Sequence, residues 1–229
     1  MLARLWTWLE DRERAWRESF GNDISTPAKR REAWWHFQLV DHAFLRVWWT
    51  NFYPVAAGVF RSNQPSPARL RRYSERGIKS VLNLRGDSRY VCYLFEKEAC
   101  DALGLYLTDI NMSATELPSL ETIRQLESHF RNLEKPMVMH CKSGADRAGL
   151  ASALYLMLIE DVDIETARRQ LGLKYIHLKN SKKGILDFGL EKYARANEAK
   201  PIPFSTWLET MYDPKALAEE FHASRRRAG

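Results

Sequence analysis

Cysteine is scarce in this sequence, and no long apolar run is present. The 229 residues include three cysteines, Cys92, Cys100 and Cys141, and no two of them form a Cys-x-x-Cys pair. An odd number of cysteines without metal-type spacing indicates neither a disulfide framework nor a zinc site, and it favours a reducing compartment. The longest apolar stretch of the first third, residues 43–60, contains an arginine, an asparagine and a proline, so we expect no membrane-spanning helix there.

Sequence signatures of several enzyme classes are also missing. The chain has no His-Glu-x-x-His, no Gly-x-Ser-x-Gly and no Gly-x-Gly-x-x-Gly segment, so metalloproteolysis, serine hydrolysis and hydride transfer have no support. Gly144 and Gly149 have the spacing of a nucleotide-binding phosphate loop, but Leu150-Ala151 follows where that loop requires Lys-Ser or Lys-Thr. We therefore expect neither a metal nor a cofactor.

Positive charge is in modest excess and is not concentrated in one place. The net charge is +6 with an isoelectric point near 9.2, which permits a nucleic acid, an anionic membrane or a phosphorylated substrate as partner. Tight basic runs, such as those at residues 29–31, 182–183 and 225–227, are too short for a nucleic-acid-binding arm. With 45% hydrophobic and 28% charged residues, the composition is that of a globular protein.

Tryptophan divides the chain unequally, because seven of the eight tryptophans lie in the first fifty residues. A Thr-Pro pair at 26–27 favours a helix start, and the apolar spacing after it predicts one helix from about 27 to 49. We interpret residues 1–54 as a Trp-rich helical extension that packs on the main domain, with a membrane-interface face as the alternative. Residues 55–199 are the predicted main domain, and residues 200–229 a linker and C-terminal helix.

After residue 55, short apolar segments alternate with longer amphipathic ones. Runs of Val, Ile and Leu predict strands, and periodic segments closed by Gly predict helices. The alternation predicts an α/β fold in which helices cover a sheet. The predicted strands are 59–61, 78–84, 105–112 and 137–139, and the predicted helices are 67–76, 95–103, 120–132, 148–159 and 163–172.

Residues 140–149, His-Cys-Lys-Ser-Gly-Ala-Asp-Arg-Ala-Gly, lie between a predicted buried strand and a predicted buried helix. A loop in this position turns its backbone N–H groups toward a common centre, and the positive end of the following helix completes an anion cradle. Cys141, at the start of the cradle, is favoured as a thiolate nucleophile. Arg147 is placed to bind two phosphate oxygens with its planar guanidinium, which a lysine could not do.

This segment resembles the signature of the Cys-dependent protein tyrosine phosphatases, which is His-Cys, five residues and Arg, with two glycines at set places. The matching positions are His140, Cys141, Gly144, Arg147 and Gly149. Residues 60–65 and 77–85 are similar to the dual-specificity-like branch, of bacterial or atypical type. The resemblance implies the Cys-phosphatase fold, a small and mainly parallel sheet flanked by helices, and no cofactor.

The resemblance also implies a function. Phosphate monoesters would be hydrolysed through a phosphocysteine on Cys141, with Arg147 and the loop amides stabilising the phosphoryl group. His140 would orient the loop. The residues implied to bind substrate are Lys142, Ser143, Gly144, Ala145, Asp146 and Arg147.

Two features depart from the family pattern. Ala148 stands where the family usually has Ser or Thr, whose hydroxyl assists departure of the thiolate, so a phospho-ligand binding module without turnover is an alternative function. The general acid has three candidates. Asp109 has the family spacing but lies in a predicted strand, Asp146 precedes the arginine as in some bacterial phosphatases, and Glu116 lies on the loop 113–118. We favour Asp109 and Asp146 equally, and Glu116 after them.

The expected substrates are phosphotyrosine or dual-specificity protein substrates, or phosphorylated lipids or inositols. A basic cluster either rims the pocket or forms a solvated turn; it consists of His177, Lys179, Lys182 and Lys183. No signal-peptide-length apolar segment accumulates before Glu10, so we expect a cytoplasmic protein with no nucleic-acid partner. Peripheral membrane contact through residues 1–54 would instead make the chain a membrane-peripheral scaffold, a third candidate function.

Overall fold

A five-stranded sheet forms the centre of the molecule. The structure, a computed structural model, describes residues 23–39, 44–87 and 91–228. The strands are β1 (Tyr53–Ala56), β2 (Val59–Asn63), β3 (Ser80–Asn83), β4 (Tyr106–Asp109) and β5 (Met137–Cys141). Their order across the sheet is β1-β2-β5-β3-β4; β1 is antiparallel to β2, and every other neighbouring pair is parallel. This arrangement confirms the mainly parallel sheet that the resemblance implied.

Helices cover both faces of the sheet. Two of them begin where the sequence supplies a capping hydroxyl: Ser66 accepts from the Arg69 N–H, and Ser119 accepts from the Thr122 N–H. The described helices are α1 (Pro27–Leu39), α2 (Leu45–Trp48), α3 (Pro67–Glu75), α4 (Val91–Leu103), α5 (Leu120–Asn132), α6 (Asp146–Leu158), α7 (Ile164–Ala167), α8 (Ile185–Ala199), α9 (Phe204–Thr210) and α10 (Pro214–Ala228).

Strand β5 lies in the middle of the sheet and is buried along its whole length. Successive side chains of a strand point to opposite faces. Met137, Met139 and Cys141 accordingly belong to a large core shared with α5, α6, α8 and α9, whereas Val138 belongs to a smaller core shared with α3 and α4. These two apolar layers hold β5 in place and fix its C-terminal end, where Cys141 is 1% exposed.

The predicted elements between residues 59 and 172 are present, with shifted ends. The prediction of one helix over 27–49 is wrong in its extent, because the described chain has α1 and α2 separately and a turn at Phe44. Sequence analysis missed β1, where Pro54 interrupts the strand pattern and is tolerated because the strand is at the sheet edge. Helix α8 was not predicted, and the single C-terminal helix predicted within residues 200–229 is two helices, α9 and α10.

Predictions that concern residues 1–22 and 40–43 fall outside the described residues. Within the described ranges, no helix is long and apolar enough to span a membrane.

Candidate active site

The loop of residues 142–145 connects β5 to α6 at the carboxyl end of the parallel strands. Cys141 is the last residue of β5 and pairs in register with Asn63 at the end of β2, while His140 pairs with Asn83 at the end of β3. Three parallel strands therefore end together beside the loop. In sheets of this kind, ligands bind outside the carboxyl ends of the strands.

The loop curls around the sulfur of Cys141. The Gly144 N–H donates to Cys141 Sγ at 3.2 Å. This turn needs a glycine, because Gly144 has a φ of +73° and a Cβ atom there would lie 2.7 Å from the backbone nitrogen of Asn63. Glycine is therefore required at position 144 for two structural reasons, the positive φ of the backbone and the close approach of β2.

Four consecutive loop carbonyls accept hydrogen bonds from outside the loop. The pairs are Gln64 N–H to Lys142 O at 3.3 Å, Asn51 Nδ2 to Ser143 O at 3.0 Å, and Arg61 Nη2 to Gly144 O at 2.7 Å and to Ala145 O at 3.1 Å. A planar trans peptide places its C=O and N–H on opposite sides. The N–H groups of residues 143–146 therefore point away from these donors. Two of them donate within the loop region, Gly144 N–H to Cys141 Sγ at 3.2 Å and Ala145 N–H to Ser143 Oγ at 3.3 Å.

Arg61 is the main support of the loop. It is fully buried, its Nη1 donates to Gln170 O at 2.7 Å and to Gln170 Oε1 at 2.9 Å, and its guanidinium lies 3.9 Å from the ring centre of Tyr175. Burial lowers the pKa of Arg61 to about 10, against the opposing effects of Tyr175 and Cys141, so the guanidinium is charged at neutral pH. Sequence analysis missed this role, because Arg61 lies in a strand 80 residues before Cys141.

Arg147 is the second residue of α6 and is half-buried. Its Nε atom is buried and has no hydrogen-bond partner among the described residues. A buried donor without a partner costs free energy unless a ligand supplies the acceptor. Together with the positive N-terminal end of the 13-residue helix α6, this guanidinium makes the loop suited to an oxyanion.

His140 is fully buried and contacts a carboxylate on α4. Its Nε2 lies 2.7 Å from Glu96 Oε1, and Glu96 is 1% exposed. The other oxygen of Glu96 accepts from Gln64 Nε2 at 2.8 Å, and Gln64 Oε1 accepts from Arg85 Nη1 at 2.7 Å. This chain of contacts holds the imidazole in the residue next to Cys141, and Glu96 is a contact that the sequence pattern did not predict.

Asp146 is paired with two residues of the basic cluster, His177 and Lys183. Its Oδ1 lies 2.8 Å from His177 Nδ1 and its Oδ2 lies 2.8 Å from Lys183 Nζ, while His177 Nε2 lies 2.6 Å from Asp187 Oδ2. Burial by itself would lower the pKa of His177, but the hydrogen bonds to the two aspartates outweigh it and raise that pKa to about 9. Burial would raise the pKa of Asp146, and here the bonds from His177 and Lys183 outweigh it and lower that pKa.

The cluster is therefore not simply a solvated turn. His177 is buried, and Lys183 is paired with the residue before Arg147. Lys179 is the more peripheral member, 3.9 Å from Glu191 on α8. The segment containing the cluster ties the start of α6 to the start of α8.

The other two candidate acids lie outside the loop of residues 142–145, on β4 and on the loop 113–118. Asp109 is the last residue of β4; its Oδ1 accepts from Asn83 Nδ2 and its Oδ2 from the Tyr93 hydroxyl, both at 2.7 Å. Burial and then the bond to Asp109 raise the pKa of Tyr93 well above its usual value. Glu116 is exposed on its loop.

The position after Arg147 carries no hydroxyl. Ala148 is fully buried in the first turn of α6, and its carbonyl accepts from the Ser152 hydroxyl at 2.6 Å. The described part of the chain contains no group of three or more His, Cys, Asp or Glu residues that could hold a metal ion.

Comparisons with known proteins found solved structures that are similar to this chain. A solved structure similar in fold is the DUF442 protein from Shewanella putrefaciens CN-32, with 16% identity over 67% of this chain and 97% of that one and a TM-score of 0.51. A second is P. aeruginosa TpbA, with 17% identity over 75% of this chain and 90% of that one and a TM-score of 0.49. A third is the core catalytic domain of the S. cerevisiae PP-IP phosphatase SIW14 in complex with citrate, with 20% identity over 67% of this chain and 96% of that one and a TM-score of 0.49. No curated protein matches the chain.

The sequence match is more specific than the structural likeness, which at these identities concerns the fold alone. Residues 53–185 match the family described as "DSP-PTPase phosphatase fused to NAD+ Kinase". The match spans more than half of the 229 residues and includes the whole loop of residues 142–145. The chain therefore belongs to this DSP-PTPase family, within the Cys-dependent protein tyrosine phosphatase superfamily.

Proposed function

We propose that the chain hydrolyses phosphate monoesters through a phosphocysteine intermediate on Cys141. The observation that carries the proposal is the orientation of the loop: its carbonyls accept hydrogen bonds from outside, so its N–H groups face the opposite way, and that of Gly144 already points at Cys141 Sγ. Arg147 supplies the charged donor, since its buried Nε lacks a partner among the described residues. Fixed donors around a phosphoryl group stabilise the charge that develops in the transition state.

The proposed reaction has two displacement steps. The Cys141 thiolate forms a bond to phosphorus while the bond from phosphorus to the ester oxygen breaks, and the leaving oxygen takes a proton from a general acid. Water then attacks the phosphocysteine, the S–P bond breaks, and the deprotonated acid takes the proton from water. Orthophosphate leaves and the thiolate is restored.

Among the three candidate acids, the contacts favour Asp109. It is half-buried and pairs in register with Asn83, which also pairs with His140. Asp109 therefore lies at the same end of the strands as the loop. Asp146 is less suited to donate a proton, because its hydrogen bonds with His177 and Lys183 hold its pKa below the usual value. We propose that Asp146 anchors the start of α6 instead.

The first experiment measures phosphate release from an aryl phosphate by the wild type and by Cys141→Ser, with and without a chelator. We expect a loss of about 10⁴-fold or more in the variant, because removal of a nucleophile abolishes the covalent route, and no effect of the chelator. Cys100→Ala, also fully buried but on α4, is the matched control and should keep its activity. Equal rates for the wild type and Cys141→Ser would refute the proposal.

The acid is assigned by comparing Asp109→Asn, Asp146→Asn and Glu116→Gln on two substrates. Loss of the proton donor should slow hydrolysis by about 100-fold or more for phenyl phosphate, whose leaving group needs protonation, and much less for a nitro-substituted aryl phosphate. If only Asp146→Asn shows this dependence on the leaving group, the assignment to Asp109 is wrong.

The substrates that we propose are phosphotyrosine or dual-specificity protein substrates, or phosphorylated lipids and inositols. The positive net charge of +6 is compatible with both groups. A panel of phosphotyrosine and phosphoserine peptides, inositol phosphates and phosphoinositide vesicles, ranked by kcat/KM, distinguishes them.

A second candidate function is a phospho-ligand binding module, which is favoured by Ala148. Without a hydroxyl after Arg147, departure of the thiolate in the second step lacks the assistance that the family usually has. Binding of a phosphopeptide by the wild type with no release of phosphate would support this candidate.

Peripheral membrane contact through residues 1–54 is a further proposal, favoured by the exposed indoles of Trp35 and Trp48. It is tested by sedimentation of the full chain with anionic vesicles, and it fails if the chain stays in the supernatant.

A further inference from the structure

Residues 49–51 lie outside residues 53–185, the segment that matches the family, yet they are hydrogen-bonded to the site. The side-chain amide of Asn63, the last residue of β2, donates to the carbonyl of residue 49, and the Asn63 N–H donates to the carbonyl of residue 50 at 3.0 Å. Asn63 is also the register partner of Cys141. The segment before the family domain is therefore attached directly to the strand that neighbours the nucleophile.

The Asn51 side chain reaches the loop itself. Its Nδ2 donates to Ser143 O and to Tyr175 O, both at 3.0 Å, although these residues are 92 and 124 positions later in the chain. The bond to Ser143 acts on one particular peptide unit. The carbonyl of that unit accepts from Asn51, and its N–H, which belongs to Gly144, donates to Cys141 Sγ at 3.2 Å. Because the peptide is planar, fixing its carbonyl fixes the direction of the N–H beside the sulfur.

The bond to Tyr175 supports the neighbouring peptide units. The Tyr175 ring packs 3.9 Å from the guanidinium of Arg61, which holds Gly144 O and Ala145 O. One amide group thus joins the loop and the segment that covers the loop's main support.

The backbone conformation and the burial of Asn51 are both energetically unfavourable when the residue is considered by itself. The residue is 2% exposed, its φ is +47°, and its Oδ1 is buried without a hydrogen-bond partner among the described residues. Asn is the residue other than Gly that best tolerates a left-handed conformation, and its short amide is the donor needed here. Buried, strained and partly unsatisfied residues concentrate where a precise geometry is required.

We propose that Asn51 is a positioning residue of the active site, which orients the Ser143–Gly144 peptide toward Cys141 and an oxyanion bound there. The inference rests on the proposed function and adds that the cradle is completed by a residue outside residues 53–185.

The test compares Asn51→Gly and Asn51→Asp with a control variant one residue away. Asn51→Gly keeps the positive φ without the amide, and Asn51→Asp keeps the shape without the N–H donor. Phe52→Leu is the control, because Phe52 stacks on Phe60 and Tyr73 at ring distances of 5.1 and 5.0 Å and touches apolar partners. All three are made in the full chain, and their folding is checked by circular dichroism and thermal unfolding.

The readouts are the dissociation constant of tungstate by calorimetry and kcat/KM for an aryl phosphate. We expect both Asn51 variants to bind tungstate about tenfold more weakly and to lose about tenfold to a hundredfold in kcat/KM, the size expected for one or two lost hydrogen bonds. Phe52→Leu should unfold at a lower temperature and change both readouts by less than about twofold. Asn51→Gly is the variant more compatible with folding and suffices for the comparison.

Tungstate binding separates this inference from the proposed function. If the wild type binds tungstate but releases no phosphate, hydrolysis is refuted, and weaker binding by the Asn51 variants still supports the positioning role. Equal tungstate affinity in folded Asn51→Gly and wild type overturns the inference, and so does a wild type that binds no tungstate. A loss in Phe52→Leu equal to that in Asn51→Gly also overturns it, since both would then reflect general destabilisation.

Discussion

The two sides of the phosphate loop differ in where their residues come from. The inner side consists of Cys141, Arg147 and the backbone N–H groups between them, all within seven consecutive residues. The outer side consists of donors from Asn51, Arg61 and Gln64, which hold the loop carbonyls. The inner side can bind a ligand, and the outer side determines whether its N–H groups point at that ligand.

The residues proposed to act on the substrate and the residues that hold the loop in shape therefore come from different parts of the sequence. The inner side has the residues of the family signature, so its residue types are those that the proposed reaction requires. The outer side needs only donors at fixed places, and a buried arginine and a buried asparagine supply them. Variants on the outer side should therefore act through folding and through loop orientation without removing any reacting group.

Replacing Arg61 should have the largest effect on stability. Arg61→Met removes charged donors from three carbonyls and from Gln170 Oε1, so we expect a loss of about 3–5 kcal/mol in the free energy of unfolding. Urea unfolding measures it. Arg131→Met is the control, since Arg131 is exposed and pairs with Glu127 on the same helix, which predicts a change within about 0.5 kcal/mol. A loss below about 1 kcal/mol for Arg61→Met would show that the outer side is not held by this residue.

Gly144→Ala should have the second-largest effect on stability, because it introduces strain into the backbone of the loop itself. The substitution combines an unfavourable positive φ with a Cβ 2.7 Å from the Asn63 nitrogen, and we expect about 3 kcal/mol of destabilisation together with weaker tungstate binding. Gly104→Ala is the matched control: its φ is +65° but nothing lies within 4 Å of the new Cβ, so only about 1 kcal/mol is expected. Similar losses at both positions would mean that the contact with β2 does not matter.

The pairing of His177 with Asp146, at the start of α6, and with Asp187 should make the stability of the chain sensitive to pH. Because the pKa of His177 is raised to about 9 in the folded chain, its stabilising effect is complete below its unfolded value of about 6.5 and is lost as the pH rises toward 9. His177→Gln, which keeps the shape and removes the charge, should be less stable than wild type by about 3 kcal/mol at pH 6 and nearly equal at pH 9.5. Urea unfolding of both proteins at these two pH values measures it, and a difference that does not depend on pH would contradict the charged pairing with Asp146 and Asp187.

Ala148→Ser should have the smallest effect on stability and should change the inner side. A hydroxyl that donates to the departing sulfur is expected to speed hydrolysis of the phosphocysteine by about tenfold, with under about 1 kcal/mol of change in stability. Single-turnover kinetics separate this step from formation of the intermediate. Ala151→Ser places the same hydroxyl one turn later on α6, where Ala151 is fully buried, and should give no gain in rate. A gain in both variants would argue against assistance at the sulfur.

Local sequence predicted the elements that carry their own pattern. The five predicted helices and four predicted strands between residues 59 and 172 are present because periodic apolar residues and capping residues act within a few positions. β1 and α8 were not predictable in this way: Pro54 interrupts the strand pattern of β1, and α8 contains a glycine, Gly189, which packs against the Leu117 side chain. Packing overrides local preference at both places.

The sequence by itself determined the inner side of the site. Cys141, Gly144 and Arg147 have the family spacing in a strand-to-helix connection, and that is sufficient to predict an oxyanion cradle with a nucleophile. Only the tertiary structure decided which residues hold the cradle in shape and that Asp146 faces His177 and Lys183. The physical reason is that the acceptors on the outer side are backbone carbonyls, which every residue has, and their donors lie about 80 to 90 residues away. No local pattern marks such a pair until the chain has folded.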